Sequence, residues 1–235
     1  MNDVLMVLRI ELERESDEQV RNSGRRFFKE EVKLYGVKTA VVTKIADRYF
    51  REMKDLDKEY ILNLCEDLFS TGYMEDSFIA ARWSYKLQSR AVPEDFALYE
   101  RWVDSYITNW ASCDTFCNHT IGTFLEKYPD YLDHLRTWTR SDKRFVRRAA
   151  AVSLIVPARR GKFLDDALTI ADLLLTDRDD LVQKGYGWLL KEESRVHQLE
   201  ILEFVLARKD RMPRTALRYA IELMPPELKK LAMAK

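Results

Sequence analysis

The chain has 235 residues, 46% of them hydrophobic and 33% charged, which suits a soluble globular protein of one or two domains. Lys plus Arg and Asp plus Glu both number 39, so the overall charge points to no particular partner. No stretch approaches the roughly 18–20 apolar residues of a membrane span, and the opening MNDVLMVLRIELERESDEQ lacks the features of a signal peptide. A cytoplasmic protein with no membrane partner is expected. Cys65, Cys113 and Cys117 fit a reducing compartment better than a disulfide framework.

Seven glycines and six prolines are few for this length, and no segment sustains period-two alternation. Apolar residues recur at i, i+3 and i+4 almost throughout. In 38–50 they are Val41, Val42, Ile45, Ala46, Tyr49 and Phe50; in 197–206 they are Leu199, Ile201, Leu202, Val205 and Leu206. Ser16 with Gln19 reads as a capping box, and Gly36, Gly72, Pro93, Pro129, Gly161, Pro213 and Pro225–Pro226 punctuate the rest. The pattern predicts helices over 3–13, 17–31, 38–54, 57–70, 75–90, 93–107, 112–127, 129–139, 142–156, 163–175, 179–192, 195–208, 213–223 and 226–233.

These helices repeat in pairs. DKRFVRRAAAV (142–152) aligns with DDLVQKGYGWL (179–189) at an offset of 37, matching Asp142 to Asp179, Phe145 to Val182 and Arg147 to Lys184. EDSFIAARWSY (75–85) is a looser copy. An Asp cap followed by apolar, basic and small residues describes the inner helix of a HEAT-like pair. The expected fold is all-α, a solenoid of stacked antiparallel helix pairs with one concave face. No linker rich in Gly, Ser or Pro is seen, so residues 1–235 are expected to form a single domain.

Positive charge is unevenly spread. Residues 136–162 carry Arg136, Arg140, Lys143, Arg144, Arg147, Arg148, Arg159, Arg160 and Lys162 against Asp142 alone, a linear surplus of +8. Arg208, Lys209, Arg211, Arg214 and Arg218 stand against Asp210 in a second stretch. Such clustering is either a polyanion footprint or a solvated helix face; Arg147 and Arg148 beside Ala149–Ala151 favour the footprint.

Few residues offer chemistry. Cys113, Cys117 and His119 match no common zinc spacing, and buried free thiols explain the cysteines better. No phosphate loop or G-x-S-x-G element occurs. Most tryptophans belong to packing, but Trp188 follows two mid-helix glycines that each cost about 1 kcal/mol relative to alanine. A close neighbour or a ligand must offset that cost. Trp110 precedes Ser112, a candidate cap, and so lies near a helix start. Asp114 falls one turn after Trp110, on the same helix face.

Trp110 and Asp114, Arg148 in FVRRAAAV and Trp188 in QKGYGWLL together resemble the DNA alkylation repair family, the HEAT-like-repeat alkylpurine DNA glycosylases. YGVKTAVVTKIADRYF (35–50) resembles that family's N-terminal region, and the resemblance spans about residues 17–223. It implies hydrolysis of the N-glycosidic bond of N3- or N7-alkylated purines in duplex DNA, without insertion of the base into a deep pocket. Asp114 would be the catalytic carboxylate, Trp110 and Trp188 the aromatic walls beside the lesion, and Arg148 the grip on the backbone. Lys143, Arg144, Arg147 and the aligned Lys184 join Arg148 as expected DNA-binding residues. Ala111 stands where many relatives carry an acidic residue. No metal or organic cofactor is implied, and a monomer is expected. A non-catalytic DNA-structure binder and a protein-interaction scaffold are the competing readings of the same scaffold.

Overall fold

The computed structural model describes residues 3–234. They form the all-α, repeat-like solenoid class that the helical periodicity predicts; the only β pairing among the described residues is an isolated bridge between Lys33 and Tyr73. The helices group into two compact units, the first ending at Phe116 and the second beginning at Cys117.

The first unit holds α1 (Asp3–Arg14), α2 (Glu18–Arg25), α3 (Thr39–Met53), α4 (Lys58–Ser70), α5 (Met74–Lys86), α6 (Asp95–Tyr106) and α7 (Trp110–Phe116). Leu5, Leu8 and Leu12 form the buried stripe of α1. Helix α5 packs against α3, α4 and α7. Phe69, Tyr99, Trp102 and Phe116 form an aromatic core with ring centroids 5.2–6.0 Å apart. Burying each such ring contributes on the order of 1.5–3 kcal/mol.

Helix α2 ends at Arg25, six residues before the sequence pattern suggests, for a tertiary reason. The following segment crosses to α5, where the buried Glu75 carboxylate accepts the backbone N–H groups of Tyr35 (3.1 Å), Gly36 (2.8 Å) and Val37 (3.1 Å). The Arg21 guanidinium donates to the Tyr35 carbonyl. Gly36 sits at φ +89°, and its N–H and carbonyl lie against Glu75 and Asp17. This strap satisfies its polar backbone through a side chain 38–40 residues away, which no local pattern reveals. The cap of α2 is Asp17 rather than Ser16: its carboxylate accepts from the Gln19 and Val20 N–H groups.

The second unit opens with a π-helical turn, Cys117–Ile121, inside the stretch the sequence marks as one helix over 112–127. It continues with α8 (Gly122–Lys127), α9 (Leu132–Trp138), α10 (Arg144–Val152), α11 (Ile155–Ala158), α12 (Leu164–Leu173), α13 (Asp180–Glu193), α14 (Gln198–Arg208), α15 (Arg214–Ala220) and α16 (Pro226–Met233). Helix α13 packs against both α10 and α15, and its two glycines explain how. A Cβ on Gly187 would stand 2.8 Å from the Ala216 carbonyl and 2.8 Å from Tyr219 Cβ, so α15 can approach only a glycine. A Cβ on Gly185 would stand 3.3 Å from Arg148 Cγ. Asp179 caps α13 through the Leu181 and Val182 N–H groups, as its repeat position predicts. Its counterpart Asp142 does not cap α10; Ser141 Oγ accepts the Lys143 N–H instead.

Candidate functional site

In the first unit, α7 carries the aromatic–carboxylate pair. Asn109, not Ser112, sets the start of this helix: its Oδ1 accepts the Ser112 N–H at 2.9 Å, and its Nδ2 donates to Ser112 Oγ at 3.1 Å. Trp110 is therefore the first helical residue. Ser112, Cys113 and Phe116 face the core, while Trp110 and Asp114, one turn apart, stay half-buried. The Trp110 ring stacks on Phe28 at 5.3 Å between centroids and 21° between planes. Its Nε1–H donates to the Phe27 carbonyl at 3.4 Å.

Phe27 itself is 75% exposed. Phe27, Phe28, Phe78, Trp110 and Ala111 line part of a cleft of about 380 Å³ in this unit. Phe27 and Phe28 escape sequence reasoning because the periodicity places them inside a helix. The available signal is the doublet in RRFFKEE: two adjacent rings flanked by charges, which one helix face cannot bury together.

In the second unit, Arg148 on α10 is only 5% exposed. Its Nη1 donates to the Leu181 carbonyl, and its stalk runs over Gly185. Trp188, three residues beyond Gly185, is half-buried and donates Nε1–H to Glu192 Oε1 at 3.0 Å. Glu192 also accepts from Arg159 Nε at 3.0 Å and Arg195 Nε at 2.6 Å, both through Oε2. Burial opposes ionisation of Glu192, but the hydrogen bonds from Arg195, Trp188 and Arg159 outweigh it and hold its carboxyl below the usual range. The remaining tryptophans, Trp83, Trp102 and Trp138, are buried in packing.

The basic segment is far less positive in space than along the chain. Arg136 pairs with Asp133 and Asp166, Arg144 with Asp179 and Arg147 with Asp177. Arg147 also donates to the carbonyls of Ser141 and Asp142. Lys184 pairs with Asp180 at 3.2 Å, and Lys143 is exposed. Most of these carboxylates come from 165–180, beyond the stretch over which the linear surplus was counted. Cys113 and Cys117 are buried free thiols and His119 is exposed; no cluster of three metal-ligating side chains occurs among the described residues.

The fold and these side chains define a helical-repeat protein with tryptophans, a carboxylate and arginines at accessible or half-buried positions. Residues 8–224 match the family model described as DNA alkylation repair enzyme, and the chain belongs to that family. A solved structure from Enterococcus faecalis, described as a predicted DNA alkylation repair enzyme, shares the fold with a TM-score of 0.80 at 14% identity, covering 90% of this chain and 98% of that one. No curated protein gives a significant match. Family membership supports a role as an enzyme of DNA repair. No helix among the described residues is long and apolar enough to cross a membrane.

Proposed function

We propose that the protein is a DNA glycosylase that hydrolyses the N-glycosidic bond of cationic N3- or N7-alkylated purines in duplex DNA. It works as a cytoplasmic monomer. The observation that carries this reading is the Trp110–Asp114 pair on α7, a ring and a carboxylate one turn apart, with the ring held by Phe28 and the Phe27 carbonyl.

The chemistry asks little of the protein. An alkylated purine already carries positive charge, so it leaves as a neutral base with the electron pair of the C1′–N bond and needs no general acid. The sugar develops oxocarbenium-like charge, as in glycoside hydrolysis. Asp114 stabilises that charge and orients the water whose oxygen bonds to C1′; the water's proton passes to solvent. The indole faces of Trp110 and Trp188 favour a cation by about 0.5–2 kcal/mol, which selects damaged over neutral bases. Arg148, its guanidinium plane fixed by the Leu181 carbonyl, contacts backbone phosphate. Lys143, Arg144, Arg147 and Lys184 add longer-range attraction to the duplex.

The test is release of 7-methylguanine or 3-methyladenine from methylated duplex DNA. Wild type releases base and Asp114→Asn does not; equal release by both would remove the role given to Asp114, and no release by wild type would end the glycosylase reading.

A further inference from the structure

We propose that Arg159 and Arg195, joined by the buried carboxylate of Glu192 beside Trp188, form a clamp for a phosphodiester of the duplex backbone. The proposal rests on the reading of this protein as one that binds duplex DNA.

Its basis is the stoichiometry of charge. Arg147 with Asp177 is a one-to-one pair, and Arg136 faces two carboxylates, Asp133 and Asp166. Around the turn that follows α11 the ratio is two to one. Arg159 and Arg195 share Glu192, and Arg160 and Lys162 share Glu126. Four cations thus face two carboxylates, a local surplus of +2.

Exposure separates the partners in the same way. The Glu192 side chain is 2% exposed, whereas Arg159 and Arg195 are 49% and 47% exposed. Both guanidiniums use Nε on the same oxygen, Oε2, at 3.0 Å and 2.6 Å. Two like charges are therefore held close together by one anion that neutralises half of their charge. Arg159 also reaches Oε1 through Nη2 at 3.5 Å; its Nη1 and the Nη groups of Arg195 remain in solvent-accessible side chains, from which arginine can fork a phosphate. Because Trp188 Nε1–H donates to the other oxygen of Glu192, the carboxylate that holds the clamp also fixes the indole.

The experiment measures equilibrium binding of an undamaged duplex oligonucleotide over a range of salt concentration. It compares wild type, Arg159→Gln/Arg195→Gln, and a control from the first unit, Arg101→Gln/Glu66→Gln, which removes a one-to-one pair. One lost phosphate contact makes the slope of log K against log salt shallower by about 0.9. That change is expected for the arginine double variant and not for the control. The triple variant Arg159→Gln/Glu192→Gln/Arg195→Gln does not strand the Glu192 charge, so it keeps the test valid if the double variant fails to fold; it is expected to show the same slope as the double.

An unchanged slope in the folded triple variant overturns the clamp. Inorganic phosphate is run in parallel: a melting shift with phosphate that the triple variant loses, together with an unchanged DNA slope, assigns the arginines to free phosphate and also overturns it. The oligonucleotide carries no lesion, so a wild type that binds with the expected arginine dependence yet releases no alkylated base defeats the glycosylase reading while the clamp stands.

Discussion

Helices α7 and α13 carry the same local pattern, a tryptophan followed four residues later by a carboxylate: Trp110 with Asp114 and Trp188 with Glu192. Their surroundings make them different devices. On α13 the indole donates to the carboxylate, which two arginines also hold, so Glu192 is a buried structural anion. On α7 the indole donates to a backbone carbonyl of the strap and rests on Phe28, while Asp114 stays half-buried on the helix. Spacing alone sets the two groups on one face; the neighbours decide whether the indole is held by its own helix's carboxylate, as on α13, or by a backbone carbonyl of the strap, as on α7.

The comparison can be broken most sharply by exchanging charge for amide at each carboxylate. Asp114→Asn is expected to lower base release by about 10²–10³-fold, the range for loss of one preorganised electrostatic group. Glu192→Gln, which retains an oxygen for Trp188, is expected to cost less than about tenfold, because its role lies outside the reacting atoms. Single-turnover release assays measure both, and equal losses would erase the distinction.

Next in size is the strap that supports Trp110. Glu75→Ala removes the acceptor of three buried N–H groups and is expected to destabilise the fold by about 3 kcal/mol, read as a shift in denaturant midpoint. A shift under about 0.5 kcal/mol would mean that the strap holds without it.

The neighbour of Glu192 sharpens the contrast by pH. Glu193 is buried with neither carboxylate oxygen meeting a donor, and burial pushes its carboxyl up to about 8. The folded state thus keeps a proton that the unfolded chain releases near the ordinary glutamate value, and stability falls as pH rises from there through about 8. Glu193→Gln is expected to gain on wild type by up to about 1.4 kcal/mol per pH unit across that window, in melts taken at pH 5, 6.5 and 8. A pH-independent difference would contradict the raised value. The smallest effect belongs to Phe28→Ala, which removes a stacking contact of about 0.5–1.5 kcal/mol and should lower base release by about 2–10-fold.

Much of this was legible beforehand. Helical periodicity fixed the all-α class, and the four-residue interval between Trp110 and Asp114 needed only a helix to gain its meaning. The two glycines before Trp188 announced close packing, though not that Arg148 lies against one and α15 against the other. Information carried by distant residues stayed hidden. Phe28 reaches Trp110 from 82 positions away, across a helix end imposed by Glu75. The linear +8 shrinks because its partners, Asp166, Asp177, Asp179, Glu192 and Glu126, belong to other helices and turns. The caps lie one residue after Ser16, at Asp17, and three before Ser112, at Asn109, whose side-chain oxygens take the first free N–H groups of α2 and α7.

The amides of Tyr35, Gly36 and Val37 hang on one carboxylate rather than on a helical ladder. They are expected to open together, so hydrogen–deuterium exchange at these three positions should report a single opening free energy. The same opening would free the segment that brings Phe27 and Phe28 to Trp110, the first residue of α7, so the ring stack and the strap are expected to be gained or lost as one cooperative unit.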